Sequence, residues 1–173
     1  CPCGSGKKFK WCCAPYFPTV EKAFDQEEQG QHEAALQTIK GLLTAHGTNP
    51  SVWLYYAQFL YKAGAAALET AASRPQAPPR PNDPPPAYTQ MFEQAEEALS
   101  KALELNPQFG MAYFLRGQFR ENEGELIGAL LLYRKAAEAY DAEAHDQLTA
   151  VYVKIYQGES MLNRPVAAAR KAK

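Results

Sequence analysis

Glycines at 30 and 64 stand 34 residues apart, glycines at 124 and 158 repeat that interval, and the 60 residues between Gly64 and Gly124 equal one period plus an insertion of 26. A period of this size means stacked supersecondary units, none of which can bury its apolar face alone. The residues between the glycines keep helical rather than strand spacing. Ala95, Leu99, Ala102 and Leu103 fall at i, i+4, i+7 and i+8, and Leu130, Tyr133, Ala136 and Ala137 at i, i+3, i+6 and i+7. The pattern predicts helices over 18–28, 32–45, 51–63, 88–105, 110–122, 125–139 and 142–157, with Ala65–Ala72 able to prolong the third past Gly64. Each repeat glycine is expected to end the first helix of its unit in the left-handed conformation that other residues avoid.

Position by position, the units resemble tetratricopeptide repeats. The best match runs through Tyr113, Gly117, Gly124, Ala129, Tyr133 and Ala136, with Tyr113 where that family usually has Trp. The unit before it supplies Trp53, Ala57 and Gly64, then Ala95, Leu99, Ala102 and Asn106-Pro107, and a weaker first unit has Ala23, Gly30, Ala35 and Ile39. The resemblance implies an all-α array of about 3.5 repeats. It also implies a concave face, built from the first helix of each unit, that holds a protein or peptide partner. On this chain that face projects to Phe24, Leu54, Gln58, Tyr61, Met111, Phe114 and Gln118. Arrays that grip a terminal carboxylate carry Lys and Asn at the positions of Leu54 and Gln58, so a carboxylate clamp is not expected. The same aromatics are equally compatible with packing against the chain's own insertion or against another chain.

A second feature is confined to the N-terminus. Four cysteines fall within thirteen residues, Cys1, Cys3, Cys12 and Cys13, with Gly4-Ser5-Gly6-Lys7-Lys8-Phe9-Lys10-Trp11 between the pairs, and residues 14–173 contain no other. Four soft thiolates suit a closed tetrahedral Zn²⁺ site. Disulfides fit worse, since a Cys12–Cys13 bridge would strain its ring and secreted disulfide domains scatter their cysteines. The segment resembles the SEC-C motif, the zinc module of the SecA preprotein translocation ATPase tail, at every position of that motif. The resemblance implies one structural Zn²⁺ on Cys1, Cys3, Cys12 and Cys13, without catalysis, and raises the expectation of a link to secretion chaperones or ribosomes. The Gly-Ser-Gly-Lys-Lys stretch is not a phosphate-binding loop, which needs a Gly four residues before Ser5 and Ser or Thr after Lys7. Lys7, Lys8 and Lys10 either offset the net charge of a zinc tetrathiolate or form a basic contact surface with Phe9 and Trp11 as apolar anchors.

Two segments depart from the repeat. Residues 74–86 carry seven prolines in thirteen positions, which excludes a helix or an inner strand and leaves a polyproline-like loop, either a stiff spacer or a docking peptide. In the last unit Gln147 and Lys154 occupy core positions, while Leu148, Val151, Tyr152 and Ile155 form a rotated apolar face suited to capping a stack. The expected divisions are therefore a zinc module at 1–16, the array at 17–163 with its insertion at 74–86, and a basic tail at 164–173.

At 173 residues and 46% hydrophobic, the chain is long enough to bury a core. No apolar run reaches the length of a membrane span, there is no signal-peptide core, and thiolate cysteines suit a reducing bacterial-type cytoplasm. The missing initiator Met leads us to expect residues before Cys1. The net charge of −1 conceals a body of −8 between basic ends, with Lys7, Lys8 and Lys10 at one and Arg164, Arg170, Lys171 and Lys173 at the other. Such ends are either solvated termini or an RNA- or ribosome-binding surface. His32, His46 and His145 have no nucleophile or paired carboxylate at catalytic spacing, so the chain reads as a non-enzymatic interaction module.

Overall fold

The structure is a computed structural model that describes residues 7–73, 85–140 and 150–161. Among the described residues the secondary structure is all helical. A 3₁₀ turn at Phe9–Trp11 leads into α1 (Phe17–Glu28), α2 (His32–His46), α3 (Pro50–Ala72), α4 (Ala87–Leu105), α5 (Gly110–Asn122) and α6 (Leu126–Ala139). A further helix, α7, covers 150–161. The fold class is the expected helical-repeat array, in which α1 packs on α2, α2 on α3, α3 on α4, and α5 on α6. The seventh predicted helix, 142–157, lies outside the described residues up to 149. Its described part runs on to residue 161.

The four repeat glycines do two different jobs. Gly30 and Gly124 have φ of 72° and 82°, the left-handed turn expected after the first helix of a unit. Gly64 does not end its helix. It is buried inside α3, where a Cβ would stand 2.8 Å from the ring of Phe92 on α4, so its missing side chain serves the approach of the next helix. The Ala-rich run after it then carries α3 on to Ala72, beyond the predicted end at 63. Gly158 likewise sits within α7, where a Cβ would meet Leu130 of α6 at 2.9 Å.

The chain divides into two compact units, Cys1–Pro107 and Gln108–Lys173. In the first, Tyr16, Val20, Ile39, Phe59, Leu60 and Leu99 are fully buried, each contributing about 1.5–3 kcal/mol by burial. Cys13 and Tyr16, near the C-terminal end of the segment read as a zinc module at 1–16, belong to this core. In the second unit Ala129, Tyr133 and Ala136 of α6 close on Val151 of α7, with Tyr113, Phe114 and Ile155 against them. Val151 and Ile155 thus face inward as predicted, whereas Tyr152, placed on the same apolar face by sequence, points to solvent.

Candidate functional site

The Cys12–Cys13 pair is held by the turn before it. The backbone N–H groups of Cys12, Cys13 and Ala14 all donate to the Phe9 carbonyl at 3.0 Å, a tight wrap that directs both side chains toward the start of α3. There Asn49 is the N-cap. Its Oδ1 accepts from the Ser51 N–H at 3.0 Å, and Pro50 follows in the first turn, where a missing N–H costs nothing. The other end of the same amide points back: Asn49 Nδ2 donates to Cys12 Sγ at 3.7 Å and to Cys13 Sγ at 3.9 Å. Cys13 is only 3% exposed and Cys12 half-buried, and neither is in a disulfide. Burial first, and then the Cys13 sulfur, raise the Tyr55 phenol above its ordinary value.

These two residues fit half of a zinc tetrathiolate. Both sulfurs are soft ligands, both lie within reach of one amide, and N–H donors to sulfur are what a bound thiolate needs around it. Cys1 and Cys3, the other expected ligands, lie outside the described residues, and among the described residues no three His, Cys, Asp or Glu side chains cluster at metal-binding distance. Lys7, Lys8 and Lys10 are exposed on the same turn. Lys10 Nζ lies 4.9 Å from the Trp11 ring centroid, and Trp11 is 72% exposed, while Phe9 packs its edge on Phe17 at 5.8 Å.

The projected groove residues fall on both compact units. On the first, Leu54 is 7% exposed and belongs to the core, Tyr61 packs on Phe92 of α4 at 5.1 Å, and Gln58 is half-buried. Phe24 meets Phe59 at 5.1 Å and Tyr55 at 6.3 Å, with Lys62 Nζ 5.8 Å from its ring centroid. On the second, Phe114 packs on Tyr133 at 5.5 Å, the Tyr140 hydroxyl donates to the Met111 sulfur at 3.6 Å, and Gln118 is half-buried. The aromatics of the projected face are therefore already engaged within their own unit, which leaves Gln58 and Gln118 as its polar members. Lys62, which also reaches the Glu27 carboxylate at 3.8 Å, completes the Phe24 cluster. The sequence reading missed it because nothing local pairs it with Phe24.

Of the histidines, His32 Nδ1 lies 3.0 Å from Glu27 Oε2 and the His46 ring packs in a tilted arrangement against Tyr16, with ring centroids 5.2 Å apart. His145 is outside the described residues. Lys154, the oddity of the last unit, has a structural partner: its ammonium reaches both oxygens of Glu121 at 3.2 and 3.0 Å, and the Tyr133 hydroxyl donates to the same carboxylate at 2.5 Å. Asn49 was also missed. The Asn49-Pro50-Ser51 run signals a helix start, but its hold on two sulfurs 36 and 37 residues earlier leaves no local trace.

No protein-family model matches the chain, and no curated protein matches it in sequence. Among solved structures, the type III secretion translocator chaperone SycD of Yersinia enterocolitica is similar, with a TM-score of 0.53 at 15% identity, covering 94% of this chain and 99% of that one. At that identity the likeness is one of fold. No helix among the described residues is long and apolar enough to cross a membrane.

Proposed function

We infer that this chain is a non-enzymatic adaptor in which a tetratricopeptide-type array holds a protein or peptide partner and a SEC-C-type segment binds one structural Zn²⁺ through Cys1, Cys3, Cys12 and Cys13. The helical-repeat fold carries this reading. Stacked helical hairpins present long side-chain surfaces suited to a partner segment, and a chaperone shares the fold over 94% of this chain. Zinc, when bound, supplies a cross-link between two pairs of thiolates. The chain's own residues do the rest: the turn at Phe9 gathers Cys12 and Cys13, and the buried Cys13 seats that turn on the array. On the array, Phe24, Gln58 and Lys62 would give a partner segment an aromatic face, an amide and a cation within the first unit. In keeping with the SEC-C resemblance, secretion chaperones or ribosome-associated proteins in the cytoplasm are the partners to test first.

A second reading has its own observation. Exposed Lys7, Lys8 and Lys10 beside a Trp11 ring that is 72% exposed combine charge with a stacking platform, the pairing that single-stranded RNA binders use. Capture of partners by the immobilised full chain, with and without nuclease and at low and high salt, separates the two. Protein partners that survive nuclease and are lost with Gln58→Ala and Lys62→Ala support the adaptor. Capture that vanishes with nuclease, falls steeply with salt and is lost on charge reversal at Lys7, Lys8 and Lys10 favours the RNA reading.

A further inference from the structure

Asn49 is 36 residues beyond Cys13 in sequence, yet it touches both cysteines of the pair and caps the helix that forms the middle of the first unit. Its two functional atoms work in opposite directions. The carbonyl end satisfies a backbone donor at the start of α3, and the amino end satisfies two sulfurs. An Asn serving only as a cap has no need of sulfur neighbours, and Ser, Thr or Asp caps as well without an amide donor. The residues around it leave the amide little freedom. Pro50 is buried behind it, the Trp53 indole N–H donates to the Gly47 carbonyl at 2.7 Å, and the Asn49 N–H itself donates to the His46 carbonyl at 2.9 Å. The loop from α2 to α3 is thus tied at three points, and Asn49 Nδ2 is aimed from a fixed frame.

On this basis we propose that Asn49 is the positioning residue of the zinc site: its side-chain amide orients the Cys12 and Cys13 thiolates and joins the bound metal to the N-terminus of α3. The proposal rests on the four-cysteine zinc reading above. Thiolates on zinc keep excess negative charge, and N–H donors from outside the ligand set offset it and fix the sulfurs in place, so losing such a donor typically lowers metal affinity 10–100-fold. Because the donor here belongs to the array, metal bound at the N-terminus stabilises the first helical unit as well as the cysteine segment, by linkage between binding and folding.

The test uses the full chain and two substitutions that keep the cap. Asn49→Asp retains an acceptor for the Ser51 N–H but has no N–H to give. Asn49→Thr retains a cap oxygen without adding charge and covers the case in which the aspartate variant does not fold. Each is titrated with Co²⁺, whose thiolate charge-transfer bands report the ligand field, and with Zn²⁺ against a chromophoric chelator, and each is melted with and without metal. The expected result is metal affinity about 10–100-fold weaker than in the parent, altered Co²⁺ bands, and a smaller metal-induced rise in melting temperature, with metal-free melting close to that of the parent. If the parent binds one metal ion and the variants bind it equally well, the proposal is overturned and the zinc site stands. If only the metal-free melting temperature falls, Asn49 is a cap and nothing more, and the proposal is again overturned. A parent chain that binds no metal overturns both.

Discussion

Gly117 of α5 lies so close to Tyr133 of α6 that a Cβ built on it would stand 2.5 Å from the Tyr133 ring carbon Cε1. The two residues occupy the small and the large position of one repeat, and the absence of a side chain at the first makes room for the ring at the second. Tyr133 is 2% exposed, and from that seat its hydroxyl reaches Glu121. Gly41, by contrast, sits mid-helix in α2 with nothing within 4 Å of where a Cβ would be.

Opposite outcomes are therefore expected from the same substitution. Gly41→Ala should stabilise the chain by about 0.5–1 kcal/mol, because only the backbone entropy of glycine is removed. Gly117→Ala gains that same helix preference but drives a methyl into a ring that cannot retreat, an overpacking cost of about 1–3 kcal/mol that leaves a net loss. Urea unfolding of both variants checks this, and a stabilised Gly117→Ala would contradict the packing described.

The Glu121 cluster should be visible in pH dependence. Burial pushes the Glu121 carboxyl up, but the hydrogen bonds from Tyr133 and Lys154 and the charge of Lys154 outweigh it, so its pKa lies below the ordinary 4.5. Its contribution is present above about pH 4.5 and is lost as pH falls through the lower folded value. Burial first, and then the hydrogen bond and charge of Glu121, raise the Tyr133 phenol, so its contribution is full below pH 10.0 and is lost as pH rises through the folded value. Tyr133→Phe should cost about 1–2 kcal/mol at neutral pH and flatten the alkaline limb of the stability profile, while Glu121→Gln should flatten the acid limb. Unchanged limbs would show that the cluster does not hold the second unit together.

Substitutions on the projected groove should divide by what each residue touches. Tyr61→Ala removes a ring packed on Phe92, and Phe114→Ala one packed on Tyr133, so each should cost about 2–4 kcal/mol of stability before any effect on binding is read. Gln58→Ala and Gln118→Ala should stay within about 0.5 kcal/mol of the parent, which makes them the cleaner probes of partner capture. Thermal melts of the four variants decide whether this ranking holds.

In the metal-free, reduced chain, Cys12 should react with a thiol reagent well before Cys13. The first is half-buried and the second 3% exposed, so Cys13 must wait for local opening of the first unit. Zinc should protect both. Peptide mass spectrometry after timed alkylation gives the two rates, and equal rates would mean that Cys13 is not held in the core.

What the sequence determined by itself is what depends on neighbours along the chain. Helical periodicity and the glycine interval are local signals, and they placed helices α1 to α6 with the end of α3 as the main displacement. The paired cysteines and the basic turn were legible for the same reason. The sequence could not separate two kinds of glycine, because a left-handed turn at Gly30 and a close approach at Gly64 both require a missing side chain, and only the φ angle and the neighbouring ring distinguish them. Nor could it show that Lys154 answers Glu121, that Lys62 sits over Phe24, or that one amide serves both a helix start and two sulfurs. Those relations join residues separated by 33 to 38 positions, and they exist only once helix packing has fixed side chains from distant segments within a few ångströms of each other.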